Sequence, residues 1–142
     1  MNQSAIRLLF RACVVVEALS TIIGAVSAFL APELAIGSLI SGQIVPQARA
    51  VMPQAGAAWL VLALMMLGTL RLRPGDERAL RIILLPLLIG DVVHLAAAAL
   101  LIRAYGSWTG GAIGLAVFTL VLFTYRTLAA LRPELLLGKR RA

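Results

Sequence analysis

The sequence predicts an all-α integral membrane protein, a four-helix bundle of up-and-down topology with both termini in the cytoplasm. Three observations carry that expectation. Of 142 residues, 61% are hydrophobic and only 13% charged, with a mean hydropathy of +0.98; an ordinary soluble domain has roughly 45–50% apolar and about 25% charged residues. The apolar residues gather into four runs bounded by charge or proline. The basic residues fall between those runs, mostly in alternate connections.

So few charges cannot clothe a core of this composition in water. The runs show no alternation of polar and apolar residues, so a membrane β-barrel is set aside, and helix is the state that satisfies the backbone within lipid. Spans are expected at residues 8–30, 54–71, 81–103 and 107–130, close to the roughly 20 residues a bilayer requires. Residues 1–132 then form a single transmembrane domain, and 133–142 a basic cytoplasmic tail.

The first span follows Arg7 and Arg11 and precedes Val26-Ser27-Ala28, an order that imitates a signal peptide. Glu17 inside the apolar stretch assigns it instead to a membrane helix. The first connection, from Pro32 to Pro53, is semi-apolar and too broken by Gly37 and Gly42 to cross; an interfacial helix and a loose connector are equally open readings. Pro74-Gly75-Asp76 and Tyr105-Gly106-Ser107 are tight turns that make the second, third and fourth spans antiparallel neighbours. Pro86 is expected to kink the third span one turn before Asp91 and free a carbonyl. Gly110, Gly111 and Gly114 are expected to allow close packing of the fourth.

Orientation follows from the thirteen Lys and Arg residues. Eleven lie at the N-terminus (Arg7, Arg11), in the middle connection (Arg71, Arg73, Arg78, Arg81) and at the C-terminal end (Arg126, Arg132, Lys139, Arg140, Arg141), against Arg49 and Arg103 elsewhere. Under the positive-inside rule the larger set is cytoplasmic. The same distribution argues against a nucleic-acid partner despite a net charge of +7, because no soluble basic face exists. No cofactor or metal is expected: there is no Cys/His ligand spacing, a single histidine cannot give a bis-histidine haem, and no phosphate-cradling loop follows a strand. Cys13, alone in an apolar run, reads as a packed thiol.

Chemistry is expected where ionisable residues enter the spans. Glu17 lies in the first, Asp91 and His94 in the third. A charged group at the bilayer centre costs roughly 2.5–3.5 kcal/mol, so such residues turn inward and usually have a role. Asp91 and His94, three apart, share a helix face. Two carboxylates in a low-dielectric interior do not both ionise cheaply, so one is expected to carry a proton. Glu17, Asp91 and His94 are therefore the candidate acid–base groups. Ser20, Thr21, Gln54, Trp59 and Thr119 are the candidate ligand contacts around them, although hydroxyls also back-bond to their own helix and tryptophans also anchor at interfaces. The plainer alternative is that Asp91 and His94 satisfy one another and clamp helices together.

The stretch Leu87-Leu88-Ile89-Gly90-Asp91-Val92-Val93-His94-Leu95, with Glu17 in the first span, resembles a group of small four-helix membrane proteins known mainly from fungi, which carry a comparable Asp-x-x-His-Leu in the third helix. In architecture the chain is also similar to the emopamil-binding-protein and sigma-2-receptor superfamily, whose cavities isomerise sterols or bind sterols and lipophilic amines. That resemblance implies a lipophilic, isoprenoid- or sterol-like molecule in a mid-bilayer cavity, with isomerisation or cyclisation by proton transfer at Glu17, Asp91 and His94. In the second span Gln54 is the nearest polar group to the glutamate such isomerases carry there. Glu17-Ala18-Leu19-Ser20-Thr21 also resembles the first helix of small multidrug-resistance transporters, which implies a proton-coupled exporter. A non-catalytic subunit of a membrane complex is the third reading.

Overall fold

The computed structural model describes residues 3–37, 46–105 and 110–138. Among these, all regular structure is helical: α1 (Gln3–Leu30), α2 (Pro32–Gly37), α3 (Pro46–Thr69), α4 (Glu77–Tyr105), α5 (Gly110–Leu131) and α6 (Glu134–Leu137). Four helices are long and apolar enough to cross a membrane, over Ser4–Leu30, Arg49–Thr69, Glu77–Leu100 and Gly110–Leu131.

The second span is longer than expected because α3 begins at Pro46 and runs through Pro53. A proline removes one backbone donor, and a helix in an apolar setting absorbs that loss when the rest of its ladder is intact. The longer helix shortens the first connection and moves Trp59 from a helix end to mid-helix. Within that connection, Pro32–Gly37 is helical, and Glu33 pairs with Arg49 of α3 at 2.9 Å on the exposed surface. Gly42, and Gly106 and Ser107 of the expected turn, lie outside the described residues.

The helices associate as two tight pairs, α1 with α3 and α4 with α5. Small residues set the first pair. A Cβ added to Gly56 of α3 would sit 2.9 Å from the Ala25 carbonyl oxygen and 3.0 Å from the Ala28 Cβ, so only glycine permits this approach. Further along, Trp59 lies across Gly24. Gly110 and Gly114, by contrast, have open space where a Cβ would stand. They do not form the close helix contact expected of them.

Contacts between helix ends give the pairs their sense. Arg11 Nη2 of α1 donates to the carbonyl of Leu70 just after α3, at 2.7 Å. Arg81 Nε at the start of α4 donates to the carbonyl of Ala130 near the end of α5, at 3.1 Å. Both pairs are therefore antiparallel. Between α3 and α4 the chain turns through Gly75 at φ +115°, with Asp76 Oδ2 accepting from the Arg73 backbone N–H at 2.8 Å and the Asp76 carbonyl accepting from Leu80 at 3.0 Å. Asp76 thus caps α4.

The main apolar cluster joins both pairs at this same end. Phe10, Val14 and Ala18 of α1 meet Met66, Leu80, Leu84, Leu87, Tyr125 and Ala129. Leu136 and Leu137 of α6 complete it, buried to 2% and 4% exposure. The segment expected to start a tail is therefore part of the core. Pro133 opens a turn of helix, three leucines fill the gap beside α1, and Gly138 at φ +88° ends it. Residues 139–142 of the expected tail lie outside the described residues.

Candidate functional site: a buried ion cluster

Glu17 and Asp91 are both buried, at 1% and 6% exposure. Between them stands a residue that charge counting assigns to the cytoplasmic surface. Arg126 of α5 is 4% exposed and pairs with both carboxylates: Nη2 with Glu17 Oε1, and Nη1 with Asp91 Oδ1 at 2.5 Å. Arg126 Nη1 also donates to the Leu87 carbonyl at 3.3 Å, and Nη2 lies 3.6 Å from Met66 Sδ. The Tyr125 hydroxyl donates to Glu17 Oε2. Its ring stands edge-on to Phe10, with centroids 6.3 Å apart. One guanidinium, carried by α5, thus touches α1, α3 and α4.

Helix direction explains the convergence. Each Cα–Cβ bond leans toward the N-terminus of its own helix. In α5 that lean is away from the end where Arg81 meets Ala130, so Arg126 is aimed into the span, not toward the nearby water. In α1 and α4, which run the other way, Glu17 and Asp91 lean toward Arg126. The three side chains meet at one depth although their Cα atoms do not. Arg126 is removed from the interfacial basic residues, leaving ten of the thirteen on the terminal side by sequence position.

The arginine also alters the expected electrostatics. The two acids do not face each other across an empty interior; a cation is inserted between them. With both acids ionised the cluster carries one net negative charge, and a proton on either makes it neutral. Two of its polar atoms, Asp91 Oδ2 and Arg126 Nε, are buried with no hydrogen-bond partner among the described residues. The Glu17 oxygens, in contrast, are both engaged.

The other expected site residues divide. His94 is exposed and is not part of the cluster. It lies on the stripe formed by Leu80, Leu84, Leu87 and Asp91, at helical spacing. That stripe is buried as far as Asp91 and uncovered at His94. Thr119, buried at 4% exposure, lies two turns before Arg126 on α5. Thr21, half-buried, donates to the Glu17 carbonyl at 2.8 Å, and exposed Ser20 to the Val16 carbonyl at 2.9 Å, so both hydroxyls are used within α1. Gln54 is exposed and Trp59 half-buried against Gly24; neither touches the cluster. The Leu87 carbonyl, and not one released by Pro86, meets Arg126; α4 continues through that proline. No group of three or more His, Cys, Asp or Glu among the described residues is arranged to hold a metal.

Fold and site together define a class: a helical protein of four candidate membrane spans, tied together by an ion cluster within the apolar layer. No protein-family model, curated protein or solved structure matches the chain.

Proposed function

We propose that this chain is a multi-pass membrane protein, an up-and-down bundle with both termini cytoplasmic, that binds a lipophilic alcohol of the isoprenoid or sterol type by its polar end. The observation that carries this reading is the pair of buried, unpartnered atoms in one ion pair, Asp91 Oδ2 and Arg126 Nε. One is an acceptor and the other a donor. A hydroxyl is the smallest group that complements both, donating to the carboxylate and accepting from the guanidinium. Leaving both unmade within an apolar interior is costly, so a ligand that satisfies them gains specificity over a plain hydrocarbon.

The apolar body of the ligand lies along α4 beyond Asp91, where His94 is uncovered and Val92 and Val93 are exposed. Asp91, with one oxygen unengaged, is the group suited to exchange a proton with the ligand. Glu17, held on both oxygens, serves as a positioning residue that fixes Arg126. The orientation is supported by the ten basic residues of the terminal side and by the two antiparallel pairs.

Photolabelling of the purified protein with a photoreactive farnesol and a photoreactive sterol tests the assignment. Wild type is labelled by at least one alcohol, and Asp91→Asn cuts labelling about tenfold, the equivalent of one lost hydrogen bond to a charged group. The corresponding methyl ether competes poorly because it has no proton to donate. Equal labelling by alcohol and ether, unchanged in Asp91→Asn, would show that the cluster only clamps helices.

A further inference from the structure

A second polar feature lies at the other level of the molecule, where the apolar spans end. A groove of about 370 Å³ opens between the first turns of α1 and the α5–α6 junction. Its wall carries Ser4, Arg7, Arg132 and Glu134, and its floor Ile6 and Leu135, both half-buried against the core. Arg7 lies one turn inside the first candidate span and Arg132 directly follows the last. Both guanidinium groups therefore stand at the depth where lipid headgroups lie.

We propose that this groove binds the phosphate of an anionic phospholipid. The guanidinium fork matches a phosphate's geometry, and two forks, one on α1 and one at the α5–α6 junction, can hold it together. The same groove presents one acid, Glu134, so its own charge is a single net positive, and the Lys139-Arg140-Arg141 run that follows adds to the attraction. A lipid is favoured over a free phosphate because the floor is apolar and the adjoining helices expose Leu8 (70%) and Leu131 (71%), residues that acyl chains cover. The groove is built by α6: its buried Leu136 and Leu137 hold the α5–α6 junction against α1. A bound headgroup would bridge the same two parts.

Native mass spectrometry of the full chain, released from micelles containing phosphatidylglycerol and phosphatidylcholine, measures the effect. Wild type retains phosphatidylglycerol in preference. Arg7→Gln with Arg132→Gln lowers that retention about tenfold or more while phosphatidylcholine retention stays unchanged. Glu134→Gln raises it, a readout that stands even if the double variant fails to fold; unchanged retention in Glu134→Gln overturns the proposal. So does wild-type retention in the double variant combined with loss on deleting residues 139–142, which would place the attraction in the tail. Excess inorganic phosphate leaves the lipid bound; complete displacement by it would assign the groove to a soluble anion and contradict the lipid.

Discussion

Arg126 carries the most consequence of any single residue, and it is the one that reading the sequence misassigns. Glu17 and Asp91 are legible because each interrupts an apolar run. Arg126 stands near the end of its run, where an arginine normally extends to the interface. The clue is directional: it lies on a helix whose N-terminus points to the opposite side, so its Cβ leans inward. His94 shares the Asp91 stripe of α4; its exposure arises because the neighbouring helices cover that stripe only as far as Asp91, and packing distance of that kind is not written in helical periodicity. Tyr125 gives a residue-scale prediction. Its hydroxyl is a neutral donor to a buried carboxylate, so Tyr125→Phe lowers stability by about 1.5–3 kcal/mol, measured by denaturation in micelles, without altering helix content. A change below a few tenths would mean Glu17 does not depend on it.

At the scale of the element, proline and glycine mislead in opposite ways. Pro53 suggests a helix start, yet α3 continues through it, as α4 does through Pro86, because within an apolar layer an unsatisfied backbone leaves the chain no better alternative than helix. The glycines grouped at the start of α5 suggest a packing face, while the close approach is made by the solitary Gly56 against Ala25 and Ala28. Small residues in sequence license contact; the partner's small residues decide it. Gly56→Val is therefore expected to force α1 and α3 apart and to destabilise the protein by about 1–3 kcal/mol, as overpacking does. Gly114→Ala, with open space at its Cβ, is expected to be neutral or to stabilise by up to about 1 kcal/mol through helix propensity. Thermal midpoints of the two variants check both signs.

For the whole molecule, the all-helical class and the four apolar spans were legible from composition and run length. Only the pairing of α4 with α5 matches a tight turn expected from the sequence; α1 pairs with α3 across the long first connection, while α3 and α4, joined by the turn at Gly75, touch little, and the docking of α6 was concealed by the basic residues that follow it. Two close pairs, joined by an apolar cluster at one end and by the Glu17–Arg126–Asp91 bridge deeper in, make a bundle whose cohesion depends on balanced charge. The proposed orientation rests on the basic residues: in a Cys13→Ala background, a cysteine replacing Arg73 is expected to be labelled from the cytoplasmic side only and one replacing Arg49 from the opposite side only; the reverse pattern would invert the topology.

The bridge itself is tested most directly by removing charge in two ways. Arg126→Met leaves two buried carboxylates without their cation and is expected to cost about 3–5 kcal/mol. Adding Glu17→Gln and Asp91→Asn to Arg126→Met removes every charge from the cluster, and the triple variant is expected to regain most of that loss when the three proteins are unfolded side by side in micelles. A triple variant no more stable than Arg126→Met, or an Arg126→Met protein as stable as wild type, would contradict a guanidinium held between Glu17 and Asp91.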